Sequence, residues 1–503
     1  MSNWQDDKQW YNGLPSNPEC LATSMPDRCA GQYRNWPFRV KLLAPSPSHP
    51  VVPLWEAVVV PAIMSLINKR NIPLTALHLV RICRPLHDSF RPKRDAFDSP
   101  TIVWIGVEPD SMTKAEAEQL VADCIAVLAR PCLDDLLAEV YATRVVPLAG
   151  TSGLFVEPYY RALKSELSLG FGTGLDITRT DEPGLRGTGG IFIRLEGSDS
   201  IFLLTAQHVL AASPDSTRPF DGPDSGQDIA LFSAEGFDHL IKALENDLEV
   251  AKWRIQGWER RKGSEPDDYD AHISRLTQTR LEKLLAKLKA EFSDVKQRAI
   301  GRARCYPAVK LRPSSESLIP GIGLLEDWAL IEMDDSVIAQ NAKPNVLHFD
   351  HEVYRDFAPE CCEMFDPLSI AGTVTYAELQ GAESVVIKRG GASHHTKGLL
   401  GPVRSIIRHR KRTATDQMVD TWEIPVFTYH PWRDHPGPAD FSQPGDSGSI
   451  VIDQKGQVLG MITRGTGGNR WGREDRIDIT CVTPIGEILR WVEEWTGRKA
   501  SLA

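Results

Sequence analysis

The chain has no cysteine pattern of the kind that builds a disulfide scaffold or a zinc site. Its nine cysteines (Cys20, Cys29, Cys83, Cys124, Cys132, Cys305, Cys361, Cys362 and Cys481) are odd in number and scattered, with no CxxC pairs and no histidines at zinc spacing. Reduced thiols, no bound metal and no cofactor are the expectation. Positive charge is also short: the formal net charge of -10 argues against a nucleic-acid binder, which concentrates Lys and Arg to neutralise phosphates. The opening stretch MSNWQDDKQW lacks a basic region followed by an apolar one, so no signal peptide is read there. Apolar runs such as Trp55–Leu66 and Ile201–Ala212 are interrupted or too short to span a bilayer. These absences together predict an intracellular, cytoplasmic protein without a membrane segment.

What is present is enough for a large folded molecule. The 503 residues suit more than one domain, and 42% hydrophobic with 25% charged residues is ordinary globular composition. Residues 1–35, rich in Pro, Asn, Asp and Trp without periodicity, read as an irregular arm. Residues 36–149 read as a small α/β module. It has a helix near Trp55–Ile67, strands at Ala76–Arg84 and Thr101–Val107, a capping box at Thr113-Lys-Ala-Glu116 that opens a helix, and a further helix over Leu133–Tyr141. No phosphate-binding glycine loop or acid–base cluster lies there, so a binding or regulatory role is expected. From about Gly150 to Ala503 the texture changes to short β-type runs between turn residues, the pattern of a sandwich or barrel.

One segment, about 236–298, departs from that texture. Phe237, Leu240, Ile241, Leu244, Leu248, Ala251, Ile255 and Trp258 recur at helical spacing, and after Gly263-Ser264-Glu265-Pro266 the spacing resumes from Ile273 to Val295. Two antiparallel helices in a coiled-coil-like hairpin are predicted. The hairpin reads either as a structural insertion packed on the barrel or as a docking arm for a protein partner.

The chemistry concentrates in Pro444-Gly445-Asp446-Ser447-Gly448-Ser449, which runs into the apolar Ile450-Val451-Ile452. Glycines on both sides of a serine allow a tight turn that exposes Oγ and frees the N–H groups of Gly445 and Ser447 to face one point. Two such donors make an oxyanion hole. A plain turn between strands is the bland reading. A serine hydroxyl needs a base, and His208 closes the apolar strand of Phe202-Leu-Leu-Thr-Ala-Gln-His208. The third member must be a buried carboxylate that orients the imidazole. Asp327, before Trp328-Ala-Leu-Ile, and Asp228, before Ile229-Ala-Leu, both qualify.

TAQH, DWAL and GDSGS, in the order His, Asp, Ser, resemble the motif set of the chymotrypsin/trypsin-like serine proteases. Gly456–Gly465 resembles the strand of that family that binds substrate backbone, and Cys481–Trp491 its last strand and closing helix. The resemblance implies an α+β multidomain protein. Its two six-stranded antiparallel barrels would carry an active site in their cleft, interrupted by the helical hairpin and preceded by the α/β module. It implies His208, Asp327 and Ser447 as the triad, because Asp228 follows the histidine too closely, and Gly445 with Ser447 as the oxyanion hole. It places Phe441 at the floor of the specificity pocket and Thr463 and Gly465 along the substrate backbone. A serine endopeptidase acting on protein or peptide substrates follows. A catalytically silent scaffold and a serine esterase are the alternatives.

Departures from the family pattern sharpen the expectation. Val209 and Gln443 stand where secreted members carry cysteines, consistent with a disulfide-free form. In secreted members a freed N-terminal amine pairs with the aspartate before the nucleophile, here Asp446, but Leu175–Gly190 carries no clear cleavage signal. Either the site is preformed with Asp446 capping local backbone donors, which suits an intracellular chain, or removal of residues 1 to about 170 switches it on.

Overall fold

The structure is a computed structural model. It describes residues 10–25, 40–85, 97–129, 133, 135–149, 173–222, 227–260, 268–313, 319, 321–335, 345–347, 368–379, 384–410, 418–429, 440–468 and 476–503. The class is mixed α and β, built on two large sheets.

The N-terminal part starts from strand Leu74–Pro85, antiparallel to Thr101–Val107 with Leu77 opposite Ile105. Thr101–Val107 then runs parallel to Leu137–Ala142, with Trp104 opposite Glu139. Parallel neighbours need a crossover, and helix Lys114–Leu128 supplies it. The capping box is formed: the Thr113 hydroxyl accepts from the Glu116 N–H, and the Glu116 carboxylate accepts from the Thr113 N–H. Leu120, Cys124 and Leu128 share a buried core with Ile63 and Ile67 of helix Val60–Lys69. The helical stretch Val52–Lys69 is long and apolar enough to cross a membrane by length and composition. Its Trp55, Val59, Ile63 and Ile67 are buried in the core.

The helix expected over Leu133–Tyr141 is not formed; Leu137–Ala142 is a strand. Leu, Ala and Glu favour a helix locally, but this segment sits between Thr101–Val107 and Cys20–Thr23 and is paired on both edges. Tertiary pairing overrides a propensity of a few tenths of a kcal/mol per residue. Glu139, buried on that strand, accepts from Tyr11 Oη at 2.6 Å and Thr23 Oγ1 at 3.0 Å. Residues 10–25 of the expected irregular arm therefore contribute an edge strand and a buried tyrosine.

The N-terminal sheet does not stop at its own border. Strand Leu74–Pro85 pairs with Ser405–Arg410, placing Leu77 opposite Ile406, and Ser405–Arg410 pairs with Met418–Thr428. From Met418–Thr428 the pairings pass through His394–Leu400, Val385–Gly390, Ile450–Ile452, Val458–Gly467 and Ile477–Pro484. The last of these pairs back to Met418–Thr428, with Ile424 opposite Val482.

The second sheet is antiparallel and eight-stranded, in the order Ala500–Leu502, Ile191–Leu195, Ile201–Thr205, Ala329–Met333, Ala299–Cys305, Asp228–Leu231, Leu175–Arg179 and Glu182–Gly189. Among the described residues no pairing joins its first and last strands, so the pairings described do not draw two closed barrels. The helical hairpin is present as Ala234–Arg260 and Asp268–Glu291. It closes on its own cluster of Phe237, Leu240, Leu244, Leu281, Leu285 and Leu288. The turn at Gly263–Pro266 lies outside the described residues. Arg298 clamps the hairpin's root, donating to the carbonyls of Leu231 at 3.0 Å and Phe292 at 2.6 Å while lying over the Phe237 ring.

Candidate active site

His208 and Asp327 meet because their strands are neighbours. Ile201–Thr205 pairs antiparallel with Ala329–Met333, with Thr205 opposite Ala329, so the residues just after one and just before the other leave the sheet at the same end. His208 lies on the single turn Gln207–Leu210 that follows. Its Nδ1 is 2.8 Å from Asp327 Oδ2, and its backbone N–H donates to Asp327 Oδ1 at 3.3 Å. Two bonds to one carboxylate fix both the backbone and the ring. Asp228 is not part of this cluster; it accepts from Arg302 Nε at 3.2 Å.

Ser447 comes from the other sheet, in the turn before Ile450–Ile452. Its Oγ lies 2.7 Å from His208 Nε2 and 3.1 Å from the Thr463 carbonyl. The turn depends on its glycines. Gly445 has φ +107 and Gly448 φ +94, and a Cβ on Gly448 would meet the Thr188 carbonyl oxygen at 2.0 Å. No L side chain fits there. The three residues of the expected triad are thus within hydrogen-bonding reach in the order Asp327, His208, Ser447.

The amides of Gly445 and Ser447 converge on one acceptor. Both donate to the carbonyl oxygen of Leu148, Ser447 at 3.1 Å. Leu148 in turn donates its own N–H to the Thr463 carbonyl at 3.3 Å. Upstream of it, Arg144–Pro147 forms a strand antiparallel to Val458–Gly467, with Val146 opposite Gly465 and Pro147 opposite Arg464. The Leu148 side chain is fully buried in the apolar cluster that contains Phe441, Val386 and Ile462. The structure therefore brings Phe441, Thr463 and Gly465 together around one short segment of the same chain.

Burial alone would push the Asp327 carboxyl up. The His208 ring and its hydrogen bonds, with Arg464 behind them, more than offset this and hold it below the usual carboxylate range. Arg464 Nη2 donates to Asp327 Oδ2 at 3.2 Å. The same guanidinium lies 4.0 Å from Glu423 and donates to His409 at 3.2 Å. Burial, then the Arg464 charge, pushes His409 well below the usual histidine range, so its ring is neutral.

Asp446 is fully buried. It accepts from the N–H groups of Gln443 at 2.9 Å, Ala392 at 3.0 Å and Ser393 at 3.1 Å, as the preformed arrangement requires. A further partner is Lys388, also fully buried, whose Nζ is 3.0 Å from Asp446 Oδ2. Burial raises the Asp446 carboxyl, but Lys388, the Ser393 hydroxyl and the backbone donors together bring it down and keep it charged. Burial draws Lys388 down against the pull of Asp446; charge and geometry make the ion pair the state consistent with both.

Arg464 and Lys388 are the functional neighbours that motif reading missed. Arg464 is a lone cation inside the strand run Val458–Gly467, and Lys388 is one of two adjacent cations, with Arg389, inside Val385–Gly390. A charge in such a run must find a buried counter-charge, and that is the signal that could have found them. Protein-family models give no match to this chain, and a search of curated proteins finds no relative.

Proposed function

We propose that this chain is an intracellular serine endopeptidase of the chymotrypsin-like kind, with the paired-barrel fold of that family. The observation that carries the reading is the single line Asp327–His208–Ser447, at 2.8 and 2.7 Å, ending beside two amides aimed at one oxygen. In this mechanism His208 Nε2 takes the proton of Ser447 Oγ as the oxygen attacks the carbonyl carbon of a peptide bond. The Gly445 and Ser447 amides hold the oxyanion, a contribution of roughly 10²–10³ in rate per donor. His208 then delivers the proton to the leaving amine. Water enters, gives its proton to His208 and its oxygen to the acyl group, and Ser447 is restored.

Supporting the fold reading, the base and acid sit on the eight-stranded antiparallel sheet and the nucleophile on strands of the other. The buried aliphatic and Phe441 lining favours an apolar residue before the cut bond. The hairpin, with Trp253 72% exposed, is the arm we assign to a protein partner. The test is fluorophosphonate labelling with peptide hydrolysis: Ser447→Ala is expected to lose both. Labelling that persists in Ser447→Ala, or wild-type protein that neither labels nor hydrolyses, overturns the proposal in favour of a silent scaffold. Hydrolysis of esters alone would make it an esterase.

A further inference from the structure

We infer that the first substrate of this site is the chain itself, cut between Leu148 and Ala149. The inference rests on the protease reading and adds a substrate to it. Leu148 is held as the residue before a cut bond would be. Its carbonyl oxygen accepts from both Gly445 and Ser447 amides, and its N–H is bound by the Thr463 carbonyl. Its side chain fills the apolar cluster of Phe441, and the preceding residues extend strand Val458–Gly467 through register pairs Pro147–Arg464 to Arg144–Gly467. Ser447 Oγ, already bonded to His208 Nε2, belongs to the same turn as the two donors.

A structural loop has no need of this set. A buried carbonyl is satisfied by one donor, whereas two convergent amides, one of them the nucleophile's own, are the arrangement that acyl transfer requires. An oxyanion hole filled by the chain's own carbonyl is also a hole closed to other substrates.

The reaction balances with water alone. Ser447 Oγ bonds to the Leu148 carbonyl carbon and its proton passes to His208. The Leu148–Ala149 C–N bond breaks as His208 protonates the Ala149 nitrogen. Water then hydrolyses the Leu148 ester, leaving a carboxylate on Leu148, an amine on Ala149 and a free Ser447. The cut does not build the site: Asp446 is already held by Lys388 and backbone donors. Its effect is to release the segment that occupies the cleft.

The experiment follows purified full-length protein over time by intact mass and N-terminal sequencing, at several protein concentrations. A new terminus at Ala149 is expected, with a first-order rate independent of concentration. Ser447→Ala should remain whole, and Leu148→Arg, which puts a charge into an apolar pocket, should cut roughly 100-fold more slowly or less. A terminus elsewhere, or a rate proportional to concentration, overturns the inference. Hydrolysis of an added leucyl peptide in the same samples separates the two claims. A chain that stays whole yet hydrolyses the peptide is a protease without self-cleavage; one that does neither is not a protease.

Discussion

Asp327 accepts three hydrogen bonds, from the His208 backbone and ring and from Arg464. It therefore both orients the imidazole and anchors a buried cation. Asp327→Asn keeps the shape but puts an amide where an anion must meet Nδ1–H. A loss of about 10⁴-fold in kcat is expected, measured with a leucyl peptide, with the chain still folded by circular dichroism. Arg464→Met tests the other side of the carboxylate. It leaves Asp327 and Glu423 buried without their shared cation, and a loss of roughly 3–5 kcal/mol in denaturant unfolding is expected. Ser447, His208 and Asp327 were legible in the sequence because glycines, apolar strand ends and chain order mark them. Arg464 was not, because its counter-ions come from positions 327 and 423, and no local pattern joins those to 464.

At the scale of elements, the turn that carries Ser447 is held by strand Val385–Gly390. Lys388 reaches from that strand to Asp446, and the Ala392 and Ser393 amides after it complete the carboxylate's shell. Lys388→Met is expected to cost about 3–5 kcal/mol, because it strands a buried carboxylate. It should also lower kcat more than it raises KM, since what moves is the Gly445 amide. Adding Asp446→Asn should restore part of the stability but not the rate; thermal melting and steady-state kinetics on the single and double variants read this. Strands Ile450–Ile452 and Val458–Gly467 were readable as short apolar runs between turn residues and the helical hairpin from its helical spacing, whereas Val385–Gly390 was not read. Leu137–Ala142 was not legible as a strand, because its strand state is imposed by partners on both edges, at Thr101–Val107 and Cys20–Thr23.

Across the whole molecule, strand pairing, the Glu56–Arg404 ion pair, the bonds of His78 to Ser405 and Thr466 and a buried acid, Asp478, join the N-terminal part to the rest. Ser16 donates its N–H at 2.9 Å and its hydroxyl at 2.5 Å to Asp478 on strand Ile477–Pro484. Burial pushes the Asp478 carboxyl up to about 7, with Asp440 adding to it and the Ser16 bonds opposing. An aspartate in an unfolded chain titrates near ~3.9. The folded value is the higher one, so this contact's contribution is full below that pH and is lost as pH rises through about 7. Asp327 and Asp446 have lowered values and act in the opposite sense, losing their contribution as pH falls below the ordinary carboxylate range. Burial pushes His78 down to about 3 and His394 and His409 well below the histidine range. These rings lose their contribution as pH falls below about 6.5, so the comparison with Asp478→Asn is what isolates Asp478. Wild-type melting temperature is expected to fall from about pH 5 to 8 relative to Asp478→Asn, which keeps an acceptor for Ser16 without an ionisation. The same contact governs what happens after a cut at Leu148. Leu77–Ile406 pairing and the Tyr11 and Ile479 cluster still hold the two pieces together. The 1–148 piece should therefore co-elute with the remainder near pH 6 and separate more readily near pH 8. Asp478→Asn should lose that release at high pH, leaving only the opposing effect of His78, which bonds Ser405 and Thr466 across the same boundary, as size-exclusion chromatography of the cleaved protein at the two pH values will measure.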